Sequence, residues 1–317
     1  MALNFSNINT DLFYPFALTR KVEELRIGIL TIRQKYEMLK LDGKADPLQL
    51  PGITAASITK QLNNITDLVK WNDWSIRQDH VLIAKEKIPA AISSTNAVIN
   101  PSQIFIEEGA TVEHCILNAS EGPIYIGKNA LLMEGCMLRG PVAICENAVI
   151  KMGTKLYAGT TIGPGCTAGG EIKNSILLAN SNKAHDGYLG DSIIGEWCNL
   201  GAGTSNSNIK NTAANIKLQL GKMTVDAGTK FGMLMGDYSR AAINTSFNTG
   251  TVVGVCCNVF VNGLTPKYIP DFSWGSNDGT KYELPKAFRD IDNWKKLKGQ
   301  SITEIEKQAL ENIYKNS

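Results

Sequence analysis

The chain has 317 residues, with 32 Lys and Arg against 30 Asp and Glu for a formal charge of +2. Such a length holds two or three structural units, and such a balance excludes a general electrostatic pull toward nucleic acid or an anionic membrane. The seven Cys, at 115, 136, 145, 166, 198, 256 and 257, are odd in number and lack the spacing of a zinc site or disulfide scaffold, so reduced, mostly buried thiols of a cytoplasmic protein are expected.

At the N-terminus, Met1-Ala2-Leu3-Asn4-Phe5 has neither a basic n-region nor an apolar h-region. The longest apolar run, Val252 to Val261, is broken by Asn258 and too short to span a bilayer, so no membrane segment is expected. Val22, Leu25, Ile29, Ile32, Tyr36 and Leu39 follow spacings of three and four and predict an amphipathic helix through Gly28. Residues 50 to 90 mix short apolar stretches with Trp71 and Trp74, which are expected to pack in a core.

The next region is governed by a repeat. Ile126, Leu132, Leu138, Ile144, Ile150, Leu156 and Ile162 recur every six residues, and four positions after each stands a small side chain: Ala130, Cys136, Val142, Ala148, Thr154, Thr160 and Cys166. A period of six suits neither an α-helix nor an isolated strand, but it fits a short strand plus a turn. Three such units per coil make a triangular prism with the aliphatics stacked inside. The register appears earlier at Ile106 and Val112, returns at Ile194 and Leu200, and recurs loosely at Ile243, Thr249, Val255 and Val261. The prism is expected from about Asn96 to about Gly263, with a short interruption at Asn118 to Pro123 and a longer one between Thr167 and Ser192. Beyond it, Ser301 and Glu304 match a capping box for a final helix with Ile302, Ile305, Ala309 and Ile313 as its buried stripe. The expected division is an α-containing segment at 1–95, the prism at 96–265 and a loop and helical tail at 266–317.

Function is sought in the longer interruption, because loops on a rigid solenoid carry chemistry while the coils carry stability. It holds Glu171-Ile172-Lys173-Asn174 and Ser181 through Asp191, including Lys183, His185 and Tyr188. Histidine side chains titrate near 6.5 and serve as bases at neutral pH, and His80, His114 and His185 are the three in the chain. Asp186 is not paired with His185, since consecutive side chains in extended backbone diverge. Lys155, Lys173 and Lys183 invite a phosphate-binding role against the plainer alternative of solvated loop lysines. Gly163-Pro164-Gly165 with Gly169-Gly170 does not match a nucleotide-binding glycine spacing and is read as turn chemistry.

The string Glu171-Ile172-Lys173, Lys183-Ala184-His185, Tyr188-Leu189-Gly190-Asp191, Ile194-Gly195 and Asn199-Leu200-Gly201-Ala202-Gly203-Thr204 resembles the hexapeptide-repeat acyltransferases. Within them it resembles the acetyltransferase half of the bifunctional N-acetylglucosamine-1-phosphate uridyltransferase/glucosamine-1-phosphate acetyltransferase. The resemblance implies a mainly β fold, a left-handed parallel β-helix, although parallel crossovers are otherwise right-handed. It also implies a homotrimer, acetyl-CoA or another acyl-CoA as co-substrate in a groove between subunits, and a sugar or sugar-phosphate acceptor. No tightly bound metal, nucleic acid or membrane partner follows from it. His185 falls on the general base, Lys155, Lys173, Tyr188, Asn199 and Asn208 on acceptor-site contacts, and Ala202 near the acetyl-CoA groove. Lys155 stands where the family usually has arginine and cannot make its bidentate phosphate grip. Asn208-Ile209 replaces the family's Asn-Tyr.

Phe13-Tyr14-Pro15-Phe16-Ala17-Leu18-Thr19-Arg20 with Glu24-Leu25-Arg26-Ile27-Gly28-Ile29-Leu30 is more weakly similar to the start of sugar nucleotidyltransferase-like proteins. The glycine-rich phosphate loop of such enzymes is missing, so a shortened segment used for packing or oligomer contacts is expected. The alternatives are a sugar-1-phosphate nucleotidyltransferase, a zinc enzyme of the β-helix carbonic anhydrase type, for which three scattered histidines are a poor ligand set, and a non-catalytic trimeric scaffold.

Overall fold

The computed structural model describes residues 4–5, 8–40, 44–46, 48–53, 59–275 and 279–317. Its body is a parallel β-solenoid with three faces. The first face has six strands, from Ala97–Ile99 to Tyr188–Gly190, and is continued by the pair Ser205–Asn206 and Ser246–Phe247. The second has nine, from Ile104–Ile106 to Tyr268–Ile269, and the third eight, from Thr111–Val112 to Asn258–Val259. The hexad aliphatics point inward in one continuous core, as the period requires, with Ala130, Cys136, Val142, Ala148 and Cys166 buried among them. All seven cysteines are buried and unpaired.

The structure corrects the register in two places. The long interruption is not an inserted loop: strands at Glu171–Lys173, Ile176–Leu177, Asn182–Lys183 and Tyr188–Gly190 stack directly on the coils before them. What breaks the period of six is turn length, since only Gly169-Gly170 separates Ala168 from Glu171. In the later coils the inward column is Met235, Ala241, Phe247, Val253 and Val259, two positions away from the register expected through Ile243, which is 69% exposed. The period is intact there, but Met, Ala and Phe hide it from a search for branched aliphatics. The one large insertion lies at 207–232 and carries an antiparallel hairpin, Lys217–Leu220 with Met223–Asp226. The solenoid also runs past the expected boundary, with Trp274 bridging Asn258.

The outer side of the second face is buried as well, as expected of parallel strands covered on both sides. Phe105, Tyr125 and Ala143 pack under Ile29, Ile76 and Ile83, while Ile176, Ile193, Leu234 and Val252 pack under Phe13, Phe16, Leu25 and Leu68. The helix expected from Val22 to Leu39 is broken. Arg26–Ile27 and Leu30–Thr31 form a hairpin, Val22–Glu24 is a single 3-10 turn, and only α1, Ile32–Met38, is α-helical. Gly28 explains the break: at φ +74° it turns the chain where the Ser75 backbone leaves no room for a Cβ. Helix α2, Thr66–Glu86, went unseen in the sequence because its buried face is partly polar. Asn72 holds the Gly159 carbonyl at 2.6 Å, Ser75 holds that of Ile27, and Asp79 accepts from the amides of Ile29 and Leu30 and pairs with buried Lys35.

At the corner between the second and third faces, Asn129, Asn147, Gly165 and Asn180 take positive φ, followed in later coils by Trp197, Tyr238, Cys256 and Phe272. Bulky side chains in that conformation cost about 1 kcal/mol or more each. Here they are covered by α3, Leu284–Lys296, and α4, Glu304–Asn316, through Ala287, Ile291, Leu310 and Ile313. The cap of α4 is Thr303 with Glu306 rather than Ser301 with Glu304, which rotates the helix so that Ile305 is 82% exposed.

Candidate functional site

The strand pairing places the expected acceptor residues on the outer side of the first face. Lys155 pairs with Glu171 and Glu171 with Tyr188 in one row, while Lys173 stands opposite Gly190 in the next. Gly190 is required there: the Tyr188 side chain folds back over it, and a Cβ would overlap the tyrosine hydroxyl. That hydroxyl accepts from Asn208 Nδ2 at 3.0 Å, and the same amide donates to Asp191 Oδ2 at 2.5 Å. Asp191 also accepts from Asn174 at 2.7 Å, with Lys230 at 4.0 Å. Burial first, then Asp191 and Glu171, push the Tyr188 phenol up to about 12, so it stays protonated at neutral pH.

Lys155 is exposed in a hollow of about 330 Å³ lined by Ile116, Asn118, Met137, Arg139 and Tyr157. Arg139 therefore brings a guanidinium into the same hollow, held by Glu121 at 2.6 Å. Sequence reasoning missed it because it lies sixteen positions before Lys155, and only coil stacking joins them.

His185 lies at the edge between the third and first faces, on the corner between Asn182–Lys183 and Tyr188–Gly190. It is exposed, and its imidazole has no hydrogen-bond partner among the described residues. The glycine corner of Gly169-Gly170 lies against it on one side, and on the other Gly203 donates its amide to the Asp186 carbonyl at 3.0 Å. Ala202 occupies the same edge one coil later. Asn199 is elsewhere, on the third face between Asn182 and Arg240. One chain thus gathers Lys173, Tyr188 and Asn208 on or beside the first face, His185 and Ala202 on its edge, and leaves Asn199 around the corner.

Lys183 corrects the phosphate reading. It points into the prism, is 1% exposed, and donates to the carbonyls of Gly169, at 3.0 Å, and His185. In the N-terminal strip Arg20 is not free for an anion: it is clamped between Glu196, at 3.0 Å, and buried Asp237, which Thr19 also contacts at 2.5 Å. Among the described residues no group of three or more His, Cys, Asp and Glu side chains is placed to hold a metal ion, and no helix is long and apolar enough to cross a membrane.

No protein-family model matches the chain. Parts of it are similar to curated proteins. It is 38% identical over 87 residues to the bifunctional protein GlmU of Methanocaldococcus jannaschii, covering 27% of this chain and 21% of that protein. It is 34% identical over 122 residues to the bifunctional protein GlmU of Methanococcus vannielii, covering 38% and 28%. With the bifunctional sugar-1-phosphate nucleotidylyltransferase/acetyltransferase of Sulfurisphaera tokodaii it shares 31% identity over 91 residues, covering 28% and 23%. The matches thus take in only 21% to 28% of each relative's length. They bear out the resemblance carried by the motif string, and the parallel three-faced solenoid is the architecture which that resemblance implies.

Proposed function

We propose that the chain transfers an acyl group, acetyl in the first instance, from coenzyme A to an amine or hydroxyl of a sugar, sugar phosphate or nucleotide-linked sugar. The observation that carries this reading is the exposed imidazole of His185, unpartnered among the described residues, on the prism edge beside the face that holds Tyr188 and Lys173. The imidazole takes the acceptor proton as its nitrogen or oxygen attacks the thioester carbonyl. The new bond to the acyl carbon forms, the carbon–sulfur bond breaks, and the proton passes on to the thiolate of coenzyme A. Tyr188, protonated at neutral pH, donates to the acceptor, Asn199 and Asn208 supply polar contacts, and Lys155 and Lys173 draw in a phosphate, with Arg139 adding the guanidinium that Lys155 lacks. Ala202, small and on the same edge, leaves room for the acyl-CoA chain.

Because the contacts divide between two faces of one prism, a closed site needs a neighbouring prism, and the assembly proposed is a homotrimer. In this reading residues 96–265 form the acyltransferase domain of a cytoplasmic enzyme, and the N-terminal segment serves packing. The nucleotidyltransferase alternative loses support from the engagement of Arg20 with Glu196 and Asp237.

The test is thiol release from acetyl-CoA by the purified protein over amino sugars, their 1-phosphates and nucleotide-linked sugars, beside His185→Ala. Acceptor-dependent release that drops about a hundredfold or more in the variant is the expected result. No release with any acceptor sinks the enzyme reading in favour of a scaffold, and release indifferent to His185 removes its role as base.

A further inference from the structure

On the third face the inward column runs Val112, Leu132, Ile150, Ala168, Lys183, Leu200, so a single lysine replaces an aliphatic, in the coil whose corner bears His185. Burial pulls the Lys183 ammonium down to about 8, with Asp186 opposing, and an aliphatic would carry no such cost. Burial alone therefore does not account for the lysine. Its hydrogen bonds do suggest a reason. At other corners between the third and first faces the carbonyl is held by a small polar side chain: Thr154 Oγ1 donates to Lys151 at 2.5 Å, Thr245 Oγ1 to Ala242 at 2.8 Å, and Cys136 Sγ to Lys151 at 3.2 Å. The His185 corner has Gly187 in the place of Thr154, with no side chain to do this, and the preceding corner is only Gly169-Gly170. The carbonyls of Gly169 and His185 receive no backbone amide among the described residues; Lys183 supplies both donors from inside. Ala168, one coil before, provides the space.

We propose that Lys183 is the positioning residue of the candidate site: its ammonium ties two successive corners together from within the prism and so fixes the turn that presents the His185 imidazole. The functional half rests on the acyltransferase reading of His185; the structural half does not.

The experiment pairs amide hydrogen exchange with kinetics in the full chain, using Lys183→Met, of similar length and without donors, and Lys183→Gln, which keeps a donor. In Lys183→Met the amides hydrogen-bonded at this corner, those of Gly169 to Lys183, Glu171 to Gly187, Gly203 to Asp186 and Tyr188 to Ser205 Oγ, should exchange about tenfold faster or more. The kcat for acyl transfer should fall about ten- to hundredfold while the KM for acetyl-CoA stays within about twofold, since displacement of about 1 Å is enough for such losses. Lys183→Gln should lie between. Unchanged exchange in the corner and unchanged kcat overturn the proposal, and should the methionine variant not fold, parental exchange in the glutamine variant does so alone. Faster exchange in Lys183→Met, together with full activity in His185→Ala, would uphold the brace and remove His185 from the chemistry.

Discussion

The side-chain amide of Asn208 donates to the hydroxyl of Tyr188 at 3.0 Å, joining residues twenty positions apart across one coil of the prism. The bond, with Gly190 beneath the ring, gives the Tyr-Leu-Gly-Asp segment a physical reason: the glycine makes room for the tyrosine, and Asp191 orients the asparagine that holds it. Tyr188→Phe should therefore raise the acceptor KM by about three- to tenfold, the worth of one hydrogen bond of about 1 kcal/mol. Gly190→Ala should do at least as much by displacing the ring. Steady-state kinetics check both, and parental kinetics in Gly190→Ala would refute the placement of the ring.

Arg20 should behave as a structural clamp. Its removal leaves Asp237, whose side chain is 1% exposed, buried without its cation. Arg20→Ala is expected to cost about 3–5 kcal/mol in denaturant unfolding, and Arg20→Ala with Asp237→Asn to recover part of that. A loss below about 1 kcal/mol would show that the strip does not hold the second face.

Lys183 should leave a pH signature. Its folded pKa is lowered to about 8, whereas a lysine in the unfolded chain titrates near about 10.4. Between these values the unfolded state binds more protons, so this group's contribution makes stability rise with pH from about 8 to about 10 and level off outside that window. The melting temperature of the parent minus that of Lys183→Met should climb across the window. A flat difference would mean that the lysine is not buried in solution.

The cap of α4 gives a simple check on the end of the chain. Thr303→Ala should cost about 1 kcal/mol, whereas Ser301→Ala and Ile305→Ala should stay within about 0.5 kcal/mol. Thermal unfolding of the three variants decides it, with the reverse order placing the cap at Ser301.

Much of the architecture was legible in the residues themselves. A branched aliphatic every six positions from Ile126 to Ile162 admits one economical solution, because each must point inward and each inward position needs a turn on either side. The candidate site was legible as a string for a related reason: in a solenoid, residues one coil apart are neighbours, so Lys173, Tyr188 and Asn208 are close both in sequence and in space. What the tertiary structure alone decided depends on contacts that no periodicity encodes. Helix α2 is set by Asn72, Ser75 and Asp79 answering backbone groups of distant segments, so polar residues interrupt the apolar stripe of Leu68, Ile76 and Ile83 on its buried face. Lys183 reads as a surface lysine until the two-residue turn at Gly169-Gly170 and the short corner at Asn174-Ser175 together shift the register and turn it inward. Arg139 joins Lys155 only because one coil stacks on the next. Local sequence sets which way a residue can point; the length of each turn and the segment that docks outside set what it meets.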